Sequence, residues 1–308
     1  MVNWKSHSNG ASEDIIVIIP TLDRHELLIE LLFSLTSSTV LPIATYVVDS
    51  SDISVDLEEK YKNIRLKYLK SHIKSAASQR NQAIEFALTQ ELDFGFVAFL
   101  DDDVRIYDTY FEDLLKRFRE NPDFVGISGL AVGISNKDRD RSVWSDFLGL
   151  TGEAGSLTKA LVNVSPAKIE KFKEVNWLIG CAMWKKIVIE NIKFEEDFRG
   201  QSLFEDVIFS FKGREWGKIG VDPQIKFQHL LSQLGRPSER IHYEAWVHNR
   251  YRLFSYSKDE FSKLAFWRLN LILLIITSFR AIVNHRERDK VLGILRGIFR
   301  VFLDVVAK

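Results

Sequence analysis

Cysteine is almost missing from this chain. Cys181 stands alone among 308 residues, which excludes an intrachain disulfide framework and fits a reducing, cytoplasmic compartment. An excess of either charge is missing too: Lys plus Arg and Asp plus Glu each total 42. No global field therefore draws the chain to nucleic acid, and charge effects must be local. Met1 to Asp14 lacks the apolar core of a signal peptide and reads as a loose polar leader. The most apolar stretch, Leu264 to Val283, is interrupted by Arg268 and Asn270 and carries Arg280 near its end, so a membrane span is not favoured. Internal repeats and low-complexity blocks are absent as well. What is present suffices to fold, because 46% apolar against 27% charged residues can bury a sizeable core. The length suits one catalytic core with an appendage.

The pattern of elements is that of an α/β protein. Ile15 to Ile19 is a continuous β-branched run ending at Pro20, the mark of a strand buried on both faces. Leu27, Leu28, Leu31, Leu32 and Leu35 then recur with helical spacing. Short strands are predicted at Thr45 to Val48, Ile64 to Leu69 and Phe96 to Leu100, with a helix over Ser75 to Leu88 between the last two. This alternation predicts a mainly parallel sheet, whose ligands bind beyond the carboxyl ends of its strands, where Asp49 and Asp101 to Asp103 fall. A helix over Tyr110 to Arg119 and a strand over Phe124 to Leu130 follow. Ser135 to Glu174 reads as a loop region, and regular structure is expected again over Val175 to Trp184. A helix over Phe204 to Trp216, short strands near Ile219 and Ile225 to Phe227, and a helical remainder complete the chain. The expected division is a leader at 1–14, a catalytic domain at 15–240 and a helical extension at 241–308.

Three consecutive carboxylates at a strand end repel one another unless solvent, donors or a cation offset their charge. Strand alternation turns Asp101 and Asp103 to one side and Asp102 to the other, an arrangement able to hold a hard cation and a ribose hydroxyl. Mg²⁺ or Mn²⁺ held by few carboxylates keeps positions open for diphosphate oxygens. Taken alone, an acidic triplet suits a solvated turn or helix cap equally well. Glu205-Asp206 stands at a helix start, where free backbone N–H groups favour ionised carboxylates.

Six segments in order, IIVIIPTLDR (15–24), VVDSSD (47–52), SAASQRNQAI (75–84), FLDDDV (99–104), NWLIGCAMW (176–184) and FEDVIFSFKGREWG (204–217), resemble glycosyltransferase family 2. They cover about Ile15 to Asn249. The resemblance implies a GT-A, Rossmann-like nucleotide-sugar-binding domain with a C-terminal helical extension. It implies that Thr21, Asp49, Arg80, Asn81, Asp101 and Asp102 contact a UDP- or dTDP-sugar, with Asp49 accepting from the base. Asp103 and His229 would hold Mn²⁺ or Mg²⁺. Gly180, Cys181 and Glu205 would border the acceptor, and Asp206 would take the proton from its hydroxyl. The structural alternatives are a turn for Asp49, a salt bridge for Arg80, a helix-capping acid for Asp206 and a merely packed His229.

The Gln-x-x-Arg-Trp motif and multiple spans of processive members are not found, so transfer of a single sugar is expected. The implied acceptor is a glycan or lipid-linked glycan in cell-surface polysaccharide synthesis. A sugar nucleotidyltransferase would carry a Gly-rich loop where Pro20-Thr21-Leu22-Asp23 stands, and a non-catalytic binding protein need not keep both acidic clusters. The final amphipathic helix, Lys290 to Val306, suits packing on the catalytic domain, on a second copy of the chain in a homo-oligomer, or on the inner face of the cell membrane.

Overall fold

The computed structural model describes residues 12–53, 55, 57–132, 150–197, 203–230, 238–257, 259–285 and 287–306. Most of the expected leader and residues 135–149 of the expected loop region lie outside the described residues. One nine-stranded sheet organises the rest. Its strands are β1 (Ile15–Thr21), β2 (Ala44–Asp49), β3 (Leu66–Lys70), β4 (Phe96–Phe99), β5 (Val104–Ile106), β6 (Phe124–Val132), β7 (Lys173–Glu174), β8 (Ala182–Lys185) and β9 (Lys218–His229). Their order is β3-β2-β1-β4-β8-β6-β9-β5, with β7 paired to β9.

β1 is buried along its whole length because it sits between β2 and β4, parallel to both. Its alternating side chains feed two cores. Ile15, Val17 and Ile19 pack with helix α1 (His25–Thr36) through Leu28, Leu31, Leu32 and Leu35. Ile16 and Ile18 pack on the other face with helix α2 (Ala76–Thr89) through Ala77, Ala83 and Ile84. This is the period-2 consequence of covering both faces of a parallel sheet. The parallel order runs across β3-β2-β1-β4. Beyond it β8 runs antiparallel to β4 and β6, and β9 is parallel to β6 but antiparallel to β5 and β7. Helix α3 (Tyr110–Glu120) buries Phe111, Leu114 and Phe118 against the first core.

Two expected elements differ in form. Of the expected run Val175 to Trp184, only the end is strand, because Leu178 N–H bonds the Ser210 hydroxyl (2.9 Å) and Trp177 Nε1 bonds the Val164 carbonyl (3.1 Å). The short strands expected near Ile219 and Ile225 are one strand, β9, which passes Pro223 where its register with β6 shifts between Ser128 and Leu130. A register shift accommodates a residue that cannot donate to the ladder.

After the short helix α4 (Lys186–Asn191), helix α5 (Glu205–Gly213) joins the sheet to the C-terminal helices α6 (Glu239–Tyr251), α7 (Lys263–Val283) and α8 (Glu287–Val306). Phe209 enters the sheet core, whereas Val207, Ile208 and Phe211 enter a separate cluster with Val247, Phe266 and Ile294. The division expected after residue 240 thus falls in the first turn of α6. Arg250 is fully buried between α6 and α7, stacked on Trp246 and bonded to the Ala160 carbonyl (3.2 Å) and Asn270 Oδ1 (2.8 Å).

Gly293 and Gly297 let α8 approach α6 closely: a Cβ at 293 would lie 2.4 Å from the Arg240 carbonyl oxygen, and one at 297 would lie 2.7 Å from Val247 Cβ. We predict that Gly293→Val destabilises the protein in urea unfolding by about 1–3 kcal/mol, since overpacking outweighs the ~0.4 kcal/mol gained in helix propensity.

Candidate active site

A cleft of about 800 Å³ opens at the carboxyl ends of β1 and β4. Thr21, Arg80, Asp101, Asp102, Asp103, Gly180, Glu205, Asp206 and His229 all border it, drawn from six separate stretches of chain. The parallel pairing of β1 with β4 brings Thr21 beside the aspartates, and Thr21 Oγ1 donates to Asp102 Oδ2 at 2.8 Å. His229 arrives from 126 positions after Asp103 because the antiparallel β5–β9 ladder sets it opposite Val104, while Leu230 N–H bonds the Asp103 carbonyl (2.8 Å).

The three aspartates differ in their partners, although Arg24 reaches two of them. Asp102, buried, meets Thr21 and Arg24 Nη1 (3.0 Å). Burial pushes its carboxyl up to about 6, against the pull of Arg24 and Thr21. Asp101 accepts from Arg80 Nη2 (2.6 Å), and Asp103 lies 3.3 Å from Arg24 Nη1 and 3.7 Å from His229 Nε2. One ligand atom from each of Asp101, Asp103 and His229 lies within 4.8 Å of the others. Two carboxylates and an imidazole fit Mn²⁺, and Mg²⁺ through the carboxylates, with positions left over for oxygens of a ligand. Asp101 therefore joins Asp103 and His229 as a candidate metal ligand.

Arg80 is the hub of the other wall. Its guanidinium is 2% exposed, pairs with both Glu205 and Asp101, and stacks over Phe194 at 5.3 Å. Although burial works against the charge, Glu205 and Asp101 hold the guanidinium firmly protonated. Glu205 is pushed up to about 8 by burial, with Arg80 opposing and Asp206 and Asp101 reinforcing the rise. Burial likewise raises Asp206 to about 6, although the Val207 N–H (2.8 Å) and Arg80 stabilise its anion. Both acids open α5, whose N-cap residue Phe204 holds a left-handed backbone (φ 81°). Such a conformation is costly for a bulky residue and is sustained here by a buried ring and by the Asn249 amide, which holds the Leu203 carbonyl at 2.8 Å. Gly180 fits because a Cβ would lie only 3.1 Å from Arg80 Nη2 and 3.2 Å from the Asp101 carboxylate.

Three residues expected at the site stand outside the cleft wall. Asp49 is fully buried at the end of β2, where Ser51 N–H (2.7 Å) and Tyr68 Oη (2.5 Å) donate to its carboxylate and His25 Nε2 lies 3.4 Å away. Burial raises its pKa, but these hydrogen bonds outweigh it and hold the group below its ordinary value. Asn81 is turned from the cleft by helical geometry and bonds both backbone groups of Phe194 (2.9 Å each) and Glu196 (2.7 Å). Cys181 lies behind the aspartates in the core, its sulfur accepting from Asp101 N–H at 3.4 Å, and burial pushes its thiol well up.

The cleft also holds residues to which the sequence assigned no role. Arg24 bridges Asp102 and Asp103, and its signal was a lone cation just after a buried strand. Glu239, His242 and Tyr243 of α6 and Lys290 of α8 complete the wall from the C-terminal side.

The model of the family described as glycosyl transferase family 2 matches residues 16–174. Among solved structures, S. aureus TarS 1-349 in complex with UDP-GlcNAc is 19% identical, with 94% of this chain and 88% of that chain covered at a TM-score of 0.53. The mannosyltransferase PcManGT from Pyrobaculum calidifontis, in complex with GDP-Man and Mn2+, is 14% identical, with coverages of 95% and 88% and a TM-score of 0.56. A longer S. aureus TarS structure, 19% identical at a TM-score of 0.53, covers 85% of this chain, which spans only 42% of it. These likenesses are of fold. No match is found among the curated proteins.

Replacing Arg80 by Met leaves Asp101 and Glu205 without their cation. We predict a loss of about 3–5 kcal/mol in denaturant unfolding at pH 8, and a smaller loss at pH 5.5, where Glu205 is neutral with or without Arg80 and only Asp101 loses its ion pair.

Proposed function

Because the chain belongs to glycosyl transferase family 2 and has the GT-A fold, we propose that it moves one sugar from a UDP- or dTDP-sugar to a hydroxyl of a glycan or lipid-linked glycan. The product inverts configuration at the anomeric carbon, and the setting is cytoplasmic synthesis of a cell-surface polysaccharide. One observation carries the reading: the candidate metal ligands Asp101, Asp103 and His229 share a cleft with Asp206, a half-buried carboxylate with a basicity suited to proton removal.

In this reading Thr21 and Asp102 lie on the donor side, with Arg24 and Arg80 supplying positive charge near the diphosphate. Asp101, Asp103 and His229 would hold Mn²⁺ or Mg²⁺, which would supply positive charge against the charge growing on the departing diphosphate. Asp206 takes the proton of the acceptor hydroxyl as its oxygen bonds to the anomeric carbon. The bond from that carbon to the diphosphate breaks, and the nucleoside diphosphate leaves. Glu205, clamped by Arg80, positions the adjacent Asp206. Gly180 leaves room for the acceptor close to Asp101.

An Asp206→Asn enzyme is expected to lose about 10²–10⁴-fold in kcat while donor affinity stays nearly unchanged. Transfer by the wild type should fade as pH falls through about 6, because a base works only when deprotonated and Asp206 takes up its proton there. A kcat/KM profile without that acid limb removes Asp206 from the role.

Thermal shifts with UDP, dTDP, GDP and ADP, each with and without Mn²⁺, test the donor class. A metal-dependent rise with UDP or dTDP that Asp103→Asn abolishes is the expected result. No rise with any nucleotide overturns the donor reading in favour of a non-catalytic protein on this fold.

A further inference from the structure

The C-terminal helices α7 and α8 leave large apolar side chains uncovered in ordered stripes. On α7 the stripe is Leu264, Leu271, Ile275, Phe279 and Ile282, between 46% and 78% exposed. On α8 it is Leu292, Leu295, Phe299, Phe302 and Val306, between 44% and 66% exposed. Steps of three, four and seven residues place each set along one face of its helix. Scattered apolar residues are ordinary on a surface, whereas two full stripes on adjoining helices mark a surface that is covered in use.

Charge identifies what covers it. The exposed charged residues on these helices are Lys263, Arg268, Arg280, Arg288, Arg296 and Arg300, with Asp304 the one exposed acid among the described residues. Every acid of the pair is engaged: Glu287 with Lys290 (2.8 Å), Asp289 with Arg240 (2.7 Å) and Asp304 with His248 (2.8 Å). Helix α7 itself contains no Asp or Glu. Apolar stripes bordered by cations match a lipid surface bearing anionic headgroups.

Helix α7 is long and apolar enough to cross a membrane. It is nevertheless fastened to the protein through Phe266, Leu269, Asn270 and Thr277, and by Arg250 to Asn270. Crossing would break those contacts and strip the partner from a buried guanidinium, whereas lying in the plane of the interface keeps them.

We infer that the outer faces of α7 and α8 dock in plane on an anionic lipid bilayer. The chain leads from the end of α7 to the cleft within seven positions, from Val283, 89% exposed, to the cleft residue Lys290. An acceptor carried on a lipid then reaches the cleft without leaving the interface, which deepens the proposed transfer, although docking itself needs no nucleotide or metal.

Co-sedimentation of the full chain with vesicles tests this separately from donor chemistry. The vesicles are phosphatidylcholine alone and phosphatidylcholine with about 30% phosphatidylglycerol. The wild type should pellet with the anionic vesicles, weakly with the neutral ones, and less at high salt. The double substitution Phe279→Glu with Phe299→Glu should lower the bound fraction about tenfold, with an unchanged circular-dichroism melt because both rings are exposed. Arg268→Gln with Arg296→Gln should erase the preference for anionic vesicles. A wild type that stays in the supernatant with both vesicle types at low salt overturns the inference. So does a wild-type dimer that the Phe279→Glu and Phe299→Glu pair turns to monomer without changing lipid binding, since a second copy then covers the stripes.

Discussion

The Arg80 guanidinium is the interaction on which the rest of the site depends. It is almost wholly removed from water, and its two carboxylate partners come from the end of β4 and the start of α5. A buried cation of this kind is tolerable only while its partners remain, and the buried Glu205 carboxylate depends on it in turn, whereas Asp101 is partly open to water. The pairing therefore acts as a clamp between the sheet and the helix that opens with Glu205 and Asp206. Gly180 belongs to the same constraint, since any side chain there would press on the clamp.

Around that clamp the site divides its charge. Asp101 and Asp103 face His229, whereas Asp102 turns to Thr21, all three in the turn between β4 and β5, and Arg24 reaches both Asp102 and Asp103. Asp206 keeps a raised affinity for protons through burial, with Arg80 close enough to stabilise the anion. One guanidinium thus serves two purposes, holding Asp101 in place and setting the basicity of Asp206.

Much of this was legible in the chain. β1, α1, α2 and β4 were readable because period-2 and period-3.6 patterns are local, and the aspartates at the end of β4 marked the functional edge. His229 and Arg80 were reached through resemblance, since nothing local places either beside an aspartate. Asp49, Asn81 and Cys181 are near the site in sequence logic but turned from the cleft, because a residue's side of a strand or helix is decided by packing partners remote in sequence. The same limit hid Arg24, the α6 residues and Lys290. Their positions depend on ion pairs and on two glycines that admit α8 against α6, none of which a linear pattern reveals.

Phe204 has a consequence for how this protein can change. Its left-handed backbone costs on the order of 1–2 kcal/mol, and glycine is the residue that would relieve it. Glycine would also remove a buried aromatic ring, a loss of about 3–5 kcal/mol. Any β-branched substitute keeps the backbone penalty and forfeits the fit. No single replacement improves the position, so the turn that delivers Glu205 and Asp206 is locked by two opposing defects, each of which bars the repair of the other.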